Sequence, residues 1–237
     1  LMLGAGAVAG GDLPAHPREI TFRELVFEPP SPADYRHELS NGVPVYMAPS
    51  SEFPLVTITL SFKGGEYLEP EGMAGLAAMT GAMMRQGGTE TMSPREFDEE
   101  VDFLAANIWA SIGPTTSQAS LNTLTANLDE AFALFLSMVR EPGFDANRLE
   151  VLRAQQLEDI KTRDDNGLQI AIRELSFLLW GEDHFEAREP TKASLESITI
   201  PDMRALHRRI FHPGNLMIAV TGDFEPDAML ARLEEAV

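Results

Sequence analysis

The sequence predicts an α+β fold over residues 35–237, an antiparallel sheet with helices packed on one face. Three observations lead there. Apolar residues alternate in short runs bounded by turn signals, helices open on caps and close on Gly or Pro, and strands come in antiparallel groups while helices come in runs. Residues 1–34 stand apart: rich in Gly and Pro ("GGDLPAHP", "FEPPSPAD"), they read as an N-terminal arm or linker. Within 35–237 there is no repeat and no second domain.

The elements follow in chain order. "YRHELSNGVPVYMAP" reads as two short strands joined at Ser40-Asn41-Gly42, because Asn-Gly supplies the positive φ values of a tight hairpin. "LVTITLSFKGG" sets Val56, Ile58, Leu60 and Phe62 on one face, a half-buried strand ending at Gly64-Gly65. "GLAAMTGAMMRQGGT" is a helix stopped by Gly87-Gly88, with Leu76, Met79 and Met83 as its core stripe. Gly81 lies mid-helix, where it costs roughly 1 kcal/mol relative to Ala. "SPREFDEEVDFLAA" opens a second helix with a capping box, Ser93 to Glu96, and Pro94 at the first helical position. "NIWASI" and "SQASLNTLT" form an antiparallel pair turning at Gly113-Pro114. "NLDEAFALFLSMVRE" is an amphipathic helix stopped by Pro142-Gly143. Helix then runs from about Asp145 to Trp180, with a weak point at Asp164-Asp165-Asn166-Gly167. "IPDMRALHRRIF" is helical, "LMIAVTGDF" a buried strand and "EPDAMLARLEEAV" a last helix.

Composition narrows the function. With 237 residues and 44% hydrophobic content the chain can bury a sizeable core. Its 37 acidic against 18 basic residues give a net charge of −19, which argues against nucleic acid or an anionic membrane as partner. The absence of cysteine excludes disulfides, zinc–thiolate sites and cysteine nucleophiles, and fits an exported protein. No apolar run approaches the roughly 20 residues that span a bilayer. The chain begins at Leu1 rather than Met, as a fragment or a trimmed chain does. "LMLGAGAVAGG" is read either as the remnant of a signal peptide, with Ala7-Val8-Ala9 as its cleavage signal, or as a Gly/Ala linker. Export to the periplasm is the expectation, a cytoplasmic location its alternative.

Taken residue by residue, the sequence offers no catalytic set. His207 and His212 are spaced i, i+5, whereas a zinc helix needs i, i+4. His184 stands alone in an acidic loop, and no G-x-S-x-G or phosphate-binding loop is present. Glu150, Glu158 and Asp159 fall along a helix as solvated carboxylates.

The order of segments nevertheless resembles the insulinase/pitrilysin metallopeptidases and the mitochondrial processing peptidases. The likeness lies in "LSNGVPVYMAPSSEFPLVTITLSFKGGEYLEPEGMAGLAAMTGAMMRQGGT" and "REPTKASLESITIPDMRALHRRIFHPGNLMIAVTGDFEPDAM", and covers about residues 36–237. That family places H-x-x-E-H on the helix after G-L-A, two histidines binding zinc and the glutamate serving as general base. The resemblance puts the histidine positions at Ala78 and Ala82, the glutamate position at Gly81, and the distal ligand at or next to Asp159, with Glu158 the other candidate. Small side chains there imply a degenerate site with no catalytic residue and no metal in this chain, and leave space where the chemistry would be.

In active relatives a substrate strand adds to a sheet edge near the zinc. The corresponding strand is "NIWASI", which makes Asn107, Trp109 and Ser111 the peptide-binding candidates, unless Trp109 is simply a covered strand residue. The resemblance implies a non-catalytic half that pairs with a homologous catalytic domain or subunit, zinc being held only by that partner, and helps enclose and bind a peptide substrate. Its alternative is a structural or assembly subunit resembling the core proteins of respiratory complexes. A third reading, an enzyme with a relocated site at His184, rests on that histidine and its acidic neighbours alone.

Overall fold

The computed structural model describes residue 29 and residues 31–237. The remaining residues of the arm, with the signal-peptide reading attached to them, lie outside that range. Contacts divide the chain after Asp34, and the unit Tyr35–Val237 holds the sheet and its helices.

Among the described residues six strands form one sheet: β1 (Arg36–Glu38), β2 (Pro44–Pro49), β3 (Leu55–Lys63), β4 (Asn107–Ile112), β5 (Thr116–Leu124) and β6 (Leu216–Gly222), in the spatial order β1-β2-β6-β3-β5-β4. The α-helices described with it are α1 (Leu76–Gln86), α2 (Pro94–Phe103), α3 (Leu128–Arg140), α4 (Ala146–Thr162), α5 (Gly167–Trp180), α6 (Lys192–Ser197), α7 (Ile200–Ile210) and α8 (Pro226–Ala236). The fold is α+β, and the period-two alternation decides its layering. Val45, Met47, Val56, Ile58, Leu60, Phe62, Leu121, Ile218 and Val220 are buried on the helix-covered face. Thr57, Thr59, Ser61, Asn122 and Thr221 point the other way and are half-buried or exposed.

The sheet departs from the antiparallel expectation in one pairing, since β6 lies parallel to β2 and antiparallel to β3. Alternation reports which face a side chain takes and says nothing of strand direction. β6 enters between β2 and β3 only after the helices α3–α7 have been built, so its two neighbours run in opposite senses. Gly222 ends the strand with φ +115°, and a Cβ there would lie 1.9 Å from the Leu55 carbonyl oxygen, so only glycine fits.

Local signals act where the sequence placed them. Ser93 accepts from the Glu96 N–H while the Glu96 carboxylate accepts from the Ser93 N–H, closing the capping box of α2. The helical stretch after Asp145 breaks at Arg163–Asn166, where the Asn166 side chain accepts from the N–H groups of Leu168 and Gln169 to start α5. Short α6 is an addition to the expected elements. Thr191 caps it, and buried Ser194 donates to the Ala74 carbonyl, fixing it beside the entry to α1.

Candidate functional site

α1 is the helix on which the degenerate positions fall, and its start is set by an acid upstream. The Glu69 carboxylate accepts hydrogen bonds from the N–H groups of Gly75 (3.1 Å) and Ala77 (2.7 Å), satisfying donors that the first helical turn leaves unpaired. Its side chain is almost fully buried, with the Arg188 guanidinium 4.0 Å away. Burial pushes the Glu69 carboxyl above its usual range, against the lowering influence of those backbone bonds and of Arg188.

Along α1, Leu76, Met79 and Met83 are buried, as their spacing requires. Thr80 satisfies its hydroxyl within the helix by donating to the Leu76 carbonyl at 2.7 Å. The three degenerate positions differ from one another. Ala78 is exposed, Ala82 is half-buried against the core, and Gly81 is buried. A Cβ on Gly81 would lie 2.8 Å from the Ile112 nitrogen and 3.0 Å from the Ser111 Cα. Gly81 therefore opens no space, contrary to the expectation from small side chains. It lets the α1 backbone rest directly on β4.

Residues 158 and 159 stand on α4, which packs against α1. Asp159 is exposed and accepts from Gln156 at 3.4 Å, while Glu158 pairs with Lys161 at 2.7 Å. A catalytic zinc requires three protein ligands with N, O or S donors. Ala78, Gly81 and Ala82 supply none, and no group of three or more His, Asp or Glu among the described residues is placed to hold a metal ion. The donor set does not fit zinc.

Among the described residues β4 is an edge strand, paired with β5 alone. The Gly113 N–H bonds to the Thr116 carbonyl at the turn, and antiparallel alternation then aims the backbone groups of Ile108, Ala110 and Ile112 away from β5. Arg85 claims one of them, its Nε donating to the Ile108 carbonyl at 3.0 Å. The same guanidinium reaches Asp98 at 2.5 Å and lies over the Phe97 ring at 5.2 Å, joining α1, α2 and the sheet edge. With Gly81 against Ile112, the stretch of edge left without a partner among the described residues centres on Ala110.

Asn107, Trp109 and Ser111 share the other face of β4, on the side of the sheet away from the helices. They sit opposite Asn122, Ser120 and Gln118, in a polar field that includes Ser120 with Thr59 (3.3 Å) and Asn122 donating to Thr57 (2.9 Å). Trp109 is 40% exposed.

The histidines take other roles. His207 is buried, its Nε2 2.8 Å from the Val139 carbonyl and its ring stacked on Phe211, and burial lowers its pKa. His184 stacks on Trp180, and its Nδ1 accepts from the Glu186 N–H. Glu69 and Arg85 are the organising residues that sequence reasoning missed. Glu69 stands in "LEPEG", inside the stretch that carries the family likeness, but a cap seven residues before its helix follows no local capping rule. Arg85 has no sequence signal, because its partners lie 13 and 23 residues away.

Comparison with known proteins gives a consistent set. A family model described as "Insulinase (Peptidase family M16)" matches residues 46–186. A curated relative from Helicobacter pylori, named "Non-peptidase homolog YmxG", is 24% identical over 82% of this chain and 45% of its own length. Among solved structures, a peptidase M16 inactive domain from Pseudomonas fluorescens superposes with a TM-score of 0.77 at 24% identity, covering 85% of this chain and 49% of the other. The periplasmic protease PqqL from Escherichia coli does so with a TM-score of 0.72 at 16% identity, covering 84% and 22%. The chain thus spans about half the length of the first two, and less of the third.

Proposed function

Since this chain belongs to the insulinase family of peptidases, family M16, we propose that it is a non-catalytic half of such an assembly. It pairs with a homologous domain or subunit carrying an intact H-x-x-E-H, helps enclose the substrate and binds peptide. The observation that carries this reading is the family's helix and edge strand, kept in contact through Gly81, on a helix whose signature positions hold no metal donor. The Helicobacter relative named as a non-peptidase homolog and the Pseudomonas inactive domain support it.

Peptide contact is assigned to β4, through the main chain around Ala110 and the side chains of Asn107, Trp109 and Ser111 on the open face. Zinc belongs to the partner. An exported, periplasmic setting accords with the Escherichia coli neighbour, and no helix among the described residues is long and apolar enough to cross a membrane. Copurification followed by a peptidase assay tests the proposal. The pair should cleave peptide in a chelator-sensitive way while this chain alone does not, and chelator-sensitive cleavage by the isolated chain would overturn it. Stable incorporation into a membrane complex with no bound peptide would favour the assembly-subunit reading.

A further inference from the structure

Helix α5, "GLQIAIRELSFLLW", is apolar around most of its circumference yet contains no buried residue. Its half-buried side chains, Ile170, Arg173, Ser176 and Phe177, mark the side turned toward the domain. Leu168, Ile172, Leu175 and Leu179 recur at i, i+4, i+7 and i+11, which puts them on one line at the opposite side. All four are more than half exposed, and Leu178 beside them is 85% exposed. A helix that is apolar on the side facing away from its own domain is a buried helix lacking its cover. Several hundred Å² of contiguous apolar surface marks an interaction site, and about 800 Å² per partner is the standard interface size. Leu168, Ile172, Leu175, Leu178 and Leu179 together present five exposed apolar side chains on this one helix.

The charges around it narrow the occupant. Lys161, Arg163 and Arg173 already pair with Glu158, Glu189 and Asp164. Asp165, Glu174 and Glu182 are exposed and form no ion pair among the described residues, so the described rim is net negative. A second copy would oppose acid to acid across the seam, and an anionic bilayer would be repelled in the same way. The complementary surface is an apolar groove rimmed by Lys or Arg on a different domain. Two of the relatives run to about twice the length that this chain matches, which leaves room beside the matched region for a further domain.

Resting on the pairing proposed above, we infer that the outward face of α5 is the docking surface for the homologous half, through the line Leu168–Ile172–Leu175–Leu179. The contact is helix-in-groove, with the four side chains as anchors and the acidic rim setting orientation.

The test places a photo-crosslinking amino acid at position 175 of the full polypeptide in its own cells. Position 103 is the control, because Phe103 is 80% exposed on α2. Crosslinks from 175, and not from 103, to a domain carrying H-x-x-E-H are expected. Crosslinks to a second copy, to lipid, or to nothing overturn the assignment of α5. Copurification without irradiation separates the two claims: if a homologous domain copurifies but 175 does not reach it, α5 is wrong and the pairing stands. If no homologous half accompanies the chain at all, the pairing itself falls. Leu168→Glu with Leu175→Glu should leave the thermal midpoint unchanged, since neither side chain is packed, and reduce copurification at least about tenfold. Undiminished copurification would again remove α5 from the interface.

Discussion

Replacing Gly81 by Ala sets two known effects against each other at one atom. In an exposed helix interior the change would stabilise by about 1 kcal/mol, because glycine is the poorer helix former. Here the new Cβ would lie 2.8 Å from the Ile112 nitrogen and 3.0 Å from the Ser111 Cα. Both are backbone atoms of a strand held by β5, so no flexible side chain can yield. Overpacking of this kind costs about 1–3 kcal/mol, and the steric term wins. Gly81→Ala should therefore destabilise by about 1 kcal/mol, lowering the thermal midpoint by about 2–4 °C for a domain of this size. Gly167→Ala is the matched control: Gly167 opens α5 with nothing within 4 Å of the added Cβ, and should gain about 0.4–1 kcal/mol. Urea unfolding with an unchanged slope reads both variants on one scale. A Gly81→Ala variant more stable than the parent would refute the claim that α1 rests on β4 through this residue.

The other electrostatic and capping features give further expectations. Burial lowers the His207 pKa below its ordinary 6.5, so the unfolded chain binds the proton more readily. Stability should be fully present above pH 6.5 and decline as pH falls toward the folded value, and His207→Gln should flatten that decline in unfolding curves taken across the range. Glu69 has the opposite sign. Its folded pKa is raised above 4.5, so the buried carboxylate destabilises at neutral pH and the cost is relieved as pH falls through the folded pKa. The stability difference between parent and Glu69→Gln should shift in the parent's favour on acidification, while Glu69→Ala, which leaves the Gly75 and Ala77 N–H groups without their acceptor, should cost about 1–2 kcal/mol. Arg85→Ala removes the bond to Ile108, the pair with Asp98 and the stacking on Phe97 together, and should cost about 1–3 kcal/mol. Amide exchange should rise at Ile108–Ala110, and no rise there would show that Arg85 does not hold the edge.

Much of the architecture was legible because it is locally encoded. The Ser93–Glu96 box, the weak point at Asp164–Gly167 and the alternation of β3 depend on residues a few positions apart, and each lies where it was expected, the weak point proving to be a full break at which Asn166 starts α5. The parallel placement of β6 depends on where the chain returns after α3–α7, which no window of sequence contains. The site divides in the same way. The absence of donors at Ala78, Gly81 and Ala82 is visible in the letters, because histidine and glutamate cannot be replaced by methyl groups or hydrogen in binding a metal. What Gly81 does instead required the distance to Ile112, and the roles of Glu69 and Arg85 required contacts across several residues of irregular chain or between elements.

The central claim is that this chain has the peptidase architecture without the peptidase chemistry, and acts through a catalytic partner. Its most direct test measures zinc content and chelator-sensitive peptide hydrolysis for the purified chain, alone and together with the H-x-x-E-H domain that copurifies with it. Neither stoichiometric zinc nor hydrolysis is expected from the chain alone, and both are expected from the pair. Stoichiometric zinc with chelator-sensitive cleavage in the isolated chain would contradict the claim.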